Sequence, residues 1–196
     1  MSLCRVTVTP EDSGRGIELV YVRVEAEGLC RKAGQTLFRA QVETVSVPGA
    51  EPRDVRAEDD LGPLPLSVRE AEEYPIVYRL WETNRDTAGR LVIEYTVSPC
   101  ERLNRGRHGP YFQFAREAGG VSGPGIAFLI DLPGLKDTAS LHWDLSRLPV
   151  GSRAVCAWGE ARGTWSGRTA WRAFGRSITP SGRSNPLRRG SSAFTG

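Results

Sequence analysis

Two histidines and one serine flanked by glycines are the residues whose types and neighbours could support catalysis. His108 lies in the run RHGP, and His142 lies in the alternating run SLHWDL. A histidine that binds a metal or acts as a base needs a second ligand at helical spacing, or a nucleophile and an orienting acid. Neither histidine has such a neighbour in the sequence. We therefore interpret His108 as a turn residue and His142 as a solvated strand residue.

Ser122 stands in the run GGVSGPG, which is similar to the G-x-S-x-G turn that presents a nucleophilic serine. That turn needs a glycine two positions after the serine and a helix following it. Here Pro124 occupies the glycine position, and the strand-like run IAFLIDLP follows. A phosphate-binding loop would need a helix N-terminus and usually a lysine, and the sequence provides neither. The pattern indicates a glycine-rich connection between two strands.

The carboxylates and thiols suggest no metal or redox site. Acidic residues that transfer protons are buried or opposed in a cleft. By contrast, Glu58–Asp60 and Glu70–Glu73 are runs among polar neighbours, which predicts solvated charges. No two cysteines have CxxC spacing, which favours four free thiols in a reducing compartment. We therefore expect neither a metal nor a cofactor. The cysteines are Cys4, Cys30, Cys100 and Cys156.

The elements that would position these residues are strands. Along Leu91–Val97 every second residue is apolar, which is the period of a half-buried strand. Only Ser67–Tyr74 suggests a helix, because Ser67 and Glu70 have capping-box spacing. Many short strands and almost no helix predict an all-β chain, an antiparallel β-sandwich or saddle-like domain. Seven further runs have strand character: Ile17–Glu27, Thr36–Val47 with a bulge at Val45, Tyr74–Trp81, Pro110–Glu117, Gly125–Leu132, Ala139–Leu145 and Ser152–Trp158.

Charge divides the chain into two segments. Residues 1–160 contain all 23 acidic residues beside 19 basic ones, a net charge of −4, whereas residues 161–196 contain seven arginines and no acid. We interpret residues 1–160 as a β domain and residues 161–196 as a basic, disordered tail. Out-of-frame translation of a GC-rich gene would also produce such a tail, and so would a basic arm on nucleic acid. We favour the out-of-frame origin, because the acidic residues vanish at the point where the tail begins. The nucleic-acid arm is less favoured, because charge alone is weak evidence for a partner.

Four segments of the sequence occur in an order that is similar to that of a known protein family. They are GRLVIEYTVSP (Gly89–Pro99), GPYFQFAREAGGVSGPGIAFLIDLP (Gly109–Pro133), LHWDLSRLPVGSRAVCAWGE (Leu141–Glu160) and, more weakly, DLGPLPL (Asp60–Leu66). Together they resemble the N-terminal β domain of the glycyl-aminopeptidase family, peptidase family M sixty-one. Members of that family are zinc metallopeptidases related to thermolysin, in which a β-rich domain precedes the catalytic domain. The resemblance covers roughly residues 5–160.

The resemblance implies a domain that is not itself an enzyme. In the family, two histidines of an HExxH helix and a downstream glutamate hold the zinc, and the HExxH motif does not occur in this sequence. The implied function is a non-catalytic domain that packs on a catalytic peptidase domain, which is missing from this sequence. The alternative is a free-standing β-sandwich that binds a peptide or a carbohydrate.

The strand-like runs around residues 111–114 and 126–130 are the most apolar and aromatic of the chain. We therefore expect Tyr111, Phe112 and Phe114 to form a candidate interdomain surface, with Tyr111 facing outward. An uncovered apolar patch would make the isolated domain self-associate. The sequence has no apolar run of bilayer length and no visible signal peptide, so we expect a cytoplasmic protein with neither a membrane nor a nucleic-acid partner.

Overall fold

The computed structural model describes residues 3–44, 47–101, 113–117, 119–135, 139–156, 159–161, 165–167 and 178–179. The described chain is nearly all β, as the sequence predicted, and its strands form three sheets. One turn of 3-10 helix spans Gly125–Ala127. The strands are β1 (Leu3–Asp12), β2 (Ile17–Glu27), β3 (Thr36–Thr44), β4 (Val47–Pro48), β5 (Arg53–Asp59), β6 (Gly62–Pro63), β7 (Leu66–Glu73), β8 (Ile76–Thr83), β9 (Leu91–Val97), β10 (Ala115–Glu117), β11 (Gly120–Ser122), β12 (Ala139–Trp143), β13 (Arg153–Cys156), β14 (Gly159–Ala161), β15 (Trp165–Gly167) and β16 (Ile178–Thr179).

The largest sheet has seven strands in the order β15-β12-β1-β2-β9-β5-β6. Its pairs are antiparallel except that of β1 with β12, which is parallel. Successive strand residues point to opposite faces, so the register places Val6, Val24 and Ile93 in one row on the same face. All three are buried, and this face carries the core.

Two smaller sheets cover the apolar face of the seven-stranded sheet. One has the order β4-β3-β8-β7, and the other has the order β10-β11-β16-β13-β14. A single core cluster joins the three sheets, with Ile93 from the largest, Phe38 and Trp81 from the four-stranded and Val121 from the five-stranded sheet. The rings of Phe38 and Trp81 stack with their centroids 4.8 Å apart. The core therefore lies between the large sheet and both small ones.

The helix predicted at Ser67–Tyr74 is wrong. Residues Leu66–Glu73 form β7, which pairs antiparallel with β8 along its whole length. Across this pair the guanidinium of Arg79 donates a hydrogen bond to the carboxylate of Glu70 at 2.7 Å. Capping-box spacing is a local signal, and pairing with a neighbouring strand overrides it.

The strand predicted at Gly125–Leu132 is also wrong. Its first residues form the 3-10 turn, and the run then makes one isolated bridge to β3. The register of β3 with β8 shifts between Thr36 and Phe38 and between Gln41 and Glu43, and the bulge at Val45 stays a prediction. Val45 itself lies outside the described residues.

Part of the segment that we interpreted as a tail belongs to the sheets. Strand β15 pairs with β12, and β16 pairs with both β11 and β13. Residues 165–167 and 178–179 are therefore strand residues, while all other positions after 161 lie outside the described residues. In the described part of the chain, no helix has the length and apolar character that crossing a bilayer requires.

Candidate functional site

Of the three predicted interdomain residues, the structure describes one, Phe114. Phe114 is 2% exposed and belongs to the core cluster. Its ring stacks on the ring of Phe128 with the centroids 4.6 Å apart. Phe114 is therefore a core residue and not a surface contact, because this stacking removes its ring from water. Tyr111 and Phe112 lie outside the described residues.

A buried tyrosine fixes the segment that carries Phe128 to the large sheet. The hydroxyl of Tyr95 donates to the carbonyl oxygen of Phe128 at 3.3 Å and accepts from the N–H of Ile130 at 3.2 Å. Burial raises the pKa of the Tyr95 phenol far above its usual value. Because a neutral phenol donates and accepts at the same time, both hydrogen bonds can form together.

An arginine fixes the same segment to the four-stranded sheet. Arg39 and Asp131 exchange two backbone hydrogen bonds, of 2.9 and 2.7 Å, and the Arg39 Nε donates to the Asp131 carboxylate at 2.8 Å. The Arg39 guanidinium also lies 4.4 Å from the ring centroid of Tyr78, within cation–π range. The hydrogen bonds of Tyr95 and Arg39 therefore attach this segment to both the large sheet and the four-stranded sheet.

Ser122 lies on β11 and His142 lies on β12. The Ser122 hydroxyl donates to the carboxylate of Glu117 at 2.7 Å, and the 3-10 turn follows in place of an α-helix. His142 is half-buried on β12, opposite Thr7 of β1. His108 lies outside the described residues. Within the described ranges, no three histidine, cysteine, aspartate or glutamate residues are placed to hold a metal ion.

The four cysteines are free thiols. Cys4 is fully buried on the core face of β1, and burial raises the pKa of its thiol to about 12. A thiol with that pKa stays protonated at neutral pH, and the protonated form is a poor nucleophile. Cys4 is therefore a packing residue.

Asp59 corrects the prediction that Glu58–Asp60 are solvated charges. Its side chain is fully buried and accepts from both terminal nitrogens of the Arg85 guanidinium, at 2.6 and 2.8 Å. Backbone N–H groups of Leu61 and Ala88 donate to the same carboxylate, each at 2.9 Å. The hydrogen bonds from Arg85, followed by those from the backbone, hold the pKa of Asp59 well below its usual value. Asp59 therefore has a structural role, because both oxygens of its carboxylate accept hydrogen bonds from the surrounding fold.

An apolar groove lies beside β7, which is an edge strand of its sheet. The groove has a volume of about 480 Å³ and runs between β7 and the edge of the large sheet at β5 and β6. Val68 is 54% exposed although it lies opposite the buried Trp81. The groove therefore exposes apolar surface that the described fold leaves uncovered. Its main apolar lining residues are Val55, Leu64, Leu66, Val68 and Trp81.

A polar hollow of about 400 Å³ lies on the outer face of the large sheet and shares Arg56 and Glu94 with the groove. Glu94 accepts a hydrogen bond from Arg23, whereas Arg56 has no ion pair with any described residue. Tyr21 is 37% exposed, and the guanidinium of Arg147 lies 4.8 Å from its ring centroid. The hollow is also lined by Thr9, Asp54 and Thr96.

Apart from Glu58, the residues that line these two hollows were not identified as site residues from the sequence. The helix assigned to Ser67–Tyr74 hid Val68, because a strand assignment would have placed it opposite an aromatic residue of the next strand. Tyr21 had a usable signal, since the alternation of β2 places it on the polar face. No sequence pattern indicated Arg56, because its position between the two hollows depends on strands that are distant in sequence.

Comparisons with known proteins identify similar folds. No family model matches the sequence, and no curated protein matches it. An aminopeptidase N family protein from Idiomarina loihiensis aligns with a TM-score of 0.50 and 14% identity, over 87% of this chain and 28% of that chain. An M1 zinc metallopeptidase from Deinococcus radiodurans aligns with a TM-score of 0.42 and 18% identity, over 91% of this chain and 41% of that chain.

This chain spans less than half the length of each of these solved chains. The first alignment reaches the TM-score of 0.50 over nearly all of this chain. At 14% identity, what it establishes is a common fold. This chain therefore has the fold of one part of an aminopeptidase N family protein.

Proposed function

We propose that this chain is a non-catalytic β domain of the glycyl-aminopeptidase type, which packs on the thermolysin-like catalytic domain of a zinc metallopeptidase. The observation that carries the proposal is the unequal coverage of the first alignment, 87% of this chain against 28% of the longer one. A chain matched almost throughout by a minor part of an aminopeptidase N family protein has the extent of an accessory domain. The four sequence segments that resemble the glycyl-aminopeptidase family supply the finer assignment.

In this proposal the zinc chemistry belongs to the partner domain. A zinc site that activates water needs three protein ligands and an open position, and the sequence has two histidines and no HExxH motif. Tyr111 and Phe112 remain candidate contacts with the partner, because they are the aromatic residues next to Phe114 in the sequence. Phe114 itself is excluded as a contact by its burial.

The proposal is tested first on the purified chain. We expect metal analysis to find far less than one zinc per chain, and we expect no release of nitroaniline from glycyl and alanyl reporters, with or without added zinc. One tightly bound zinc per chain together with turnover would show that the chain is an enzyme. The matched positive control is a metalloaminopeptidase assayed under the same conditions.

The partner is tested through the gene. The DNA beyond codon 160 is translated in all three frames, and a frame that encodes HExxH is expected. The product of that frame, expressed separately, should co-purify with this chain, and Tyr111→Glu should weaken the complex. Intergenic DNA without such a frame would contradict the proposal.

A free-standing binding module is a second candidate, and the polar hollow favours it. An exposed aromatic ring beside acidic, basic and hydroxyl groups is a common arrangement for binding sugars and peptides. In the hollow, Asp54 has a φ of 52°, a strained value for a residue other than glycine, and the Thr96 hydroxyl donates to its carboxylate at 3.2 Å. Backbone strain of this kind concentrates at functional sites.

This second candidate predicts that Tyr21 contributes to ligand binding. In gels that contain soluble polysaccharides, the wild-type chain should migrate more slowly than it does in plain gels, and Tyr21→Ala should abolish the retardation. Tyr74→Ala is the matched control, because Tyr74 is 97% exposed and does not line the hollow. Equal migration of the wild-type chain in all gels would remove the carbohydrate-binding module from consideration.

A further inference from the structure

Two charged side chains of β5 line the polar hollow without an ion pair. Arg56 has no ion pair with any described residue, and the carboxylate of Asp54 accepts one hydrogen bond from the described part of the chain, that of the Thr96 hydroxyl at 3.2 Å. The other two charged residues that line the hollow, Arg23 and Glu94, form an ion pair with each other. The hollow therefore presents one cation and one anion that the described fold does not neutralise.

A bulge in β5 separates these two charges. The register of β5 with β9 shifts between Arg53 and Arg56, and Asp54 lies inside the bulge with a φ of 52°. Bulges re-aim side chains and are over-represented next to active sites. Here the carboxylate of Asp54 contacts Thr96, whereas Arg56 lies opposite Glu94, two positions away along β9. Two positions of a strand span about 7 Å, so the two charges face one hollow without contacting each other.

The separation of the two charges suits a small zwitterion. In a free α-amino acid the ammonium group and the carboxylate are bonded to the same carbon. A hydrogen bond of about 2.9 Å at each end gives a span of roughly 8 Å between the two protein atoms. The termini of a peptide lie farther apart, and an ion of a single charge would leave either Asp54 or Arg56 without a partner.

The hollow also has space and an aromatic surface for the side chain of an amino acid. Its volume is about 400 Å³, within the range of small-molecule sites. Tyr21 lies opposite Thr96 on the neighbouring strand and is 37% exposed, and the guanidinium of Arg147 holds its ring by a cation–π contact. Aromatic rings pack favourably on one another in offset or edge-to-face arrangements. These features favour an aromatic amino acid.

We propose that the polar hollow binds a free aromatic α-amino acid, whose ammonium group pairs with Asp54 and whose carboxylate pairs with Arg56. The ring of the ligand packs against Tyr21. This inference rests on the second candidate function, a binding module, and gives the chemical class of its ligand. It does not depend on the proposed peptidase domain.

Titration of the ¹⁵N-labelled full chain with L-phenylalanine, followed by nuclear magnetic resonance, tests the proposal. Amide signals of β5 and β9 should shift with a dissociation constant below about 1 mM. Asp54→Asn and Arg56→Gln should each raise that constant by roughly tenfold or more, because each removes one charged partner. Both positions are exposed, and asparagine tolerates the left-handed conformation, so the variants should keep the wild-type Tm. Arg53→Gln is the matched control, because Arg53 is an exposed arginine of the same strand that does not line the hollow.

Two derivatives of the probe test the two charges separately. N-acetyl-L-phenylalanine lacks the ammonium group and L-phenylalaninamide lacks the carboxylate, so each should bind to the wild type roughly tenfold more weakly than L-phenylalanine. Asp54→Asn should not weaken the acetyl derivative further, and Arg56→Gln should not weaken the amide further, because each derivative already lacks the group that the residue binds.

Three results would overturn the inference. The first is no shift of the β5 and β9 amides at about 10 mM L-phenylalanine. The second is equal affinity for L-phenylalanine and both derivatives, and the third is an affinity that neither Asp54→Asn nor Arg56→Gln changes. Retardation in polysaccharide gels that Tyr21→Ala abolishes, without any response to L-phenylalanine, would also overturn it while leaving the binding module in place. None of these results affects the tests of the peptidase proposal, which depend on zinc content and on the product of the downstream frame.

Discussion

At the scale of single residues, Asp59 is the most highly connected carboxylate among the described side chains. It joins β5 to the following turn through Leu61 and to the loop before β9 through Arg85 and Ala88. Replacement Asp59→Asn keeps the volume but removes the charge, and one amide hydrogen then faces a donor. We expect Tm to fall by roughly 4–8 °C at pH 7, measured by differential scanning calorimetry.

The difference in Tm between the wild type and Asp59→Asn should depend on pH if it arises from the charge of Asp59. The folded-state pKa of Asp59 is held below its ordinary value, so its contribution to stability is complete above the unfolded pKa of about 4 and is lost as pH falls through the folded pKa. The gap in Tm between wild type and Asp59→Asn should therefore narrow below about pH 4. Asp60→Asn, at the exposed neighbouring position, is the matched control and should leave the Tm at pH 7 close to that of the wild type. A gap of constant size would point to altered packing.

At the scale of elements, the segment from the 3-10 turn to Asp131 connects the large sheet to the four-stranded sheet. Its attachment to β9 depends on the two hydrogen bonds of the Tyr95 hydroxyl. Tyr95→Phe leaves the N–H of Ile130 and the carbonyl of Phe128 without that partner, and we expect a loss of about 1–3 kcal/mol in the free energy of unfolding. Denaturant titration should show this loss, and the amide of Ile130 should exchange its hydrogen faster than in the wild type.

Tyr74→Phe is the matched control for that substitution, because it removes the same hydroxyl from a side chain that is 97% exposed. Its unfolding midpoint should equal that of the wild type in the same denaturant titration. Equal stability of Tyr95→Phe and the wild type would mean that the segment is held by Arg39 and by apolar packing alone.

At the scale of the whole molecule, β16 decides whether the five-stranded sheet is one unit. It lies between β11 and β13, so without it the sheet separates into the β10–β11 and β13–β14 pairs. A chain ending at Glu160 lacks both β15 and β16. We expect this truncated chain to melt a few degrees below the full chain, because two-stranded pairs have little independent stability.

Limited proteolysis provides the complementary measurement. If residues 178–179 pair as strands, mild trypsin treatment of the full chain should leave a stable core that extends past residue 179 and does not end near Glu160. A full chain and a truncated chain with the same Tm would instead agree with a tail that contributes nothing to the fold, as an out-of-frame origin predicts.

The all-β class of the fold was determined by the sequence. The twofold alternation of Leu91–Val97 is written in adjacent residues, and the structure confirms this run as β9. The run GGVSGPG could be recognised as unsuited to a nucleophile turn because that turn has strict local requirements, but its interpretation as a connection was wrong in part, since Gly120–Ser122 form β11. Signals of this kind act over a few residues and need no knowledge of the tertiary structure.

Tertiary structure alone decided the features that depend on residues distant in sequence. The pairing with β8 made Leu66–Glu73 a strand, because its hydrogen bonds and cross-strand contacts outweigh a capping-box signal. Arg85, 26 positions away, made Asp59 a buried structural charge. Phe114 entered the core by stacking on Phe128, and the apolar groove exists because the edges of two sheets lie side by side. No local pattern encodes these contacts, since each is made when separate strands are brought together by the burial of a common core.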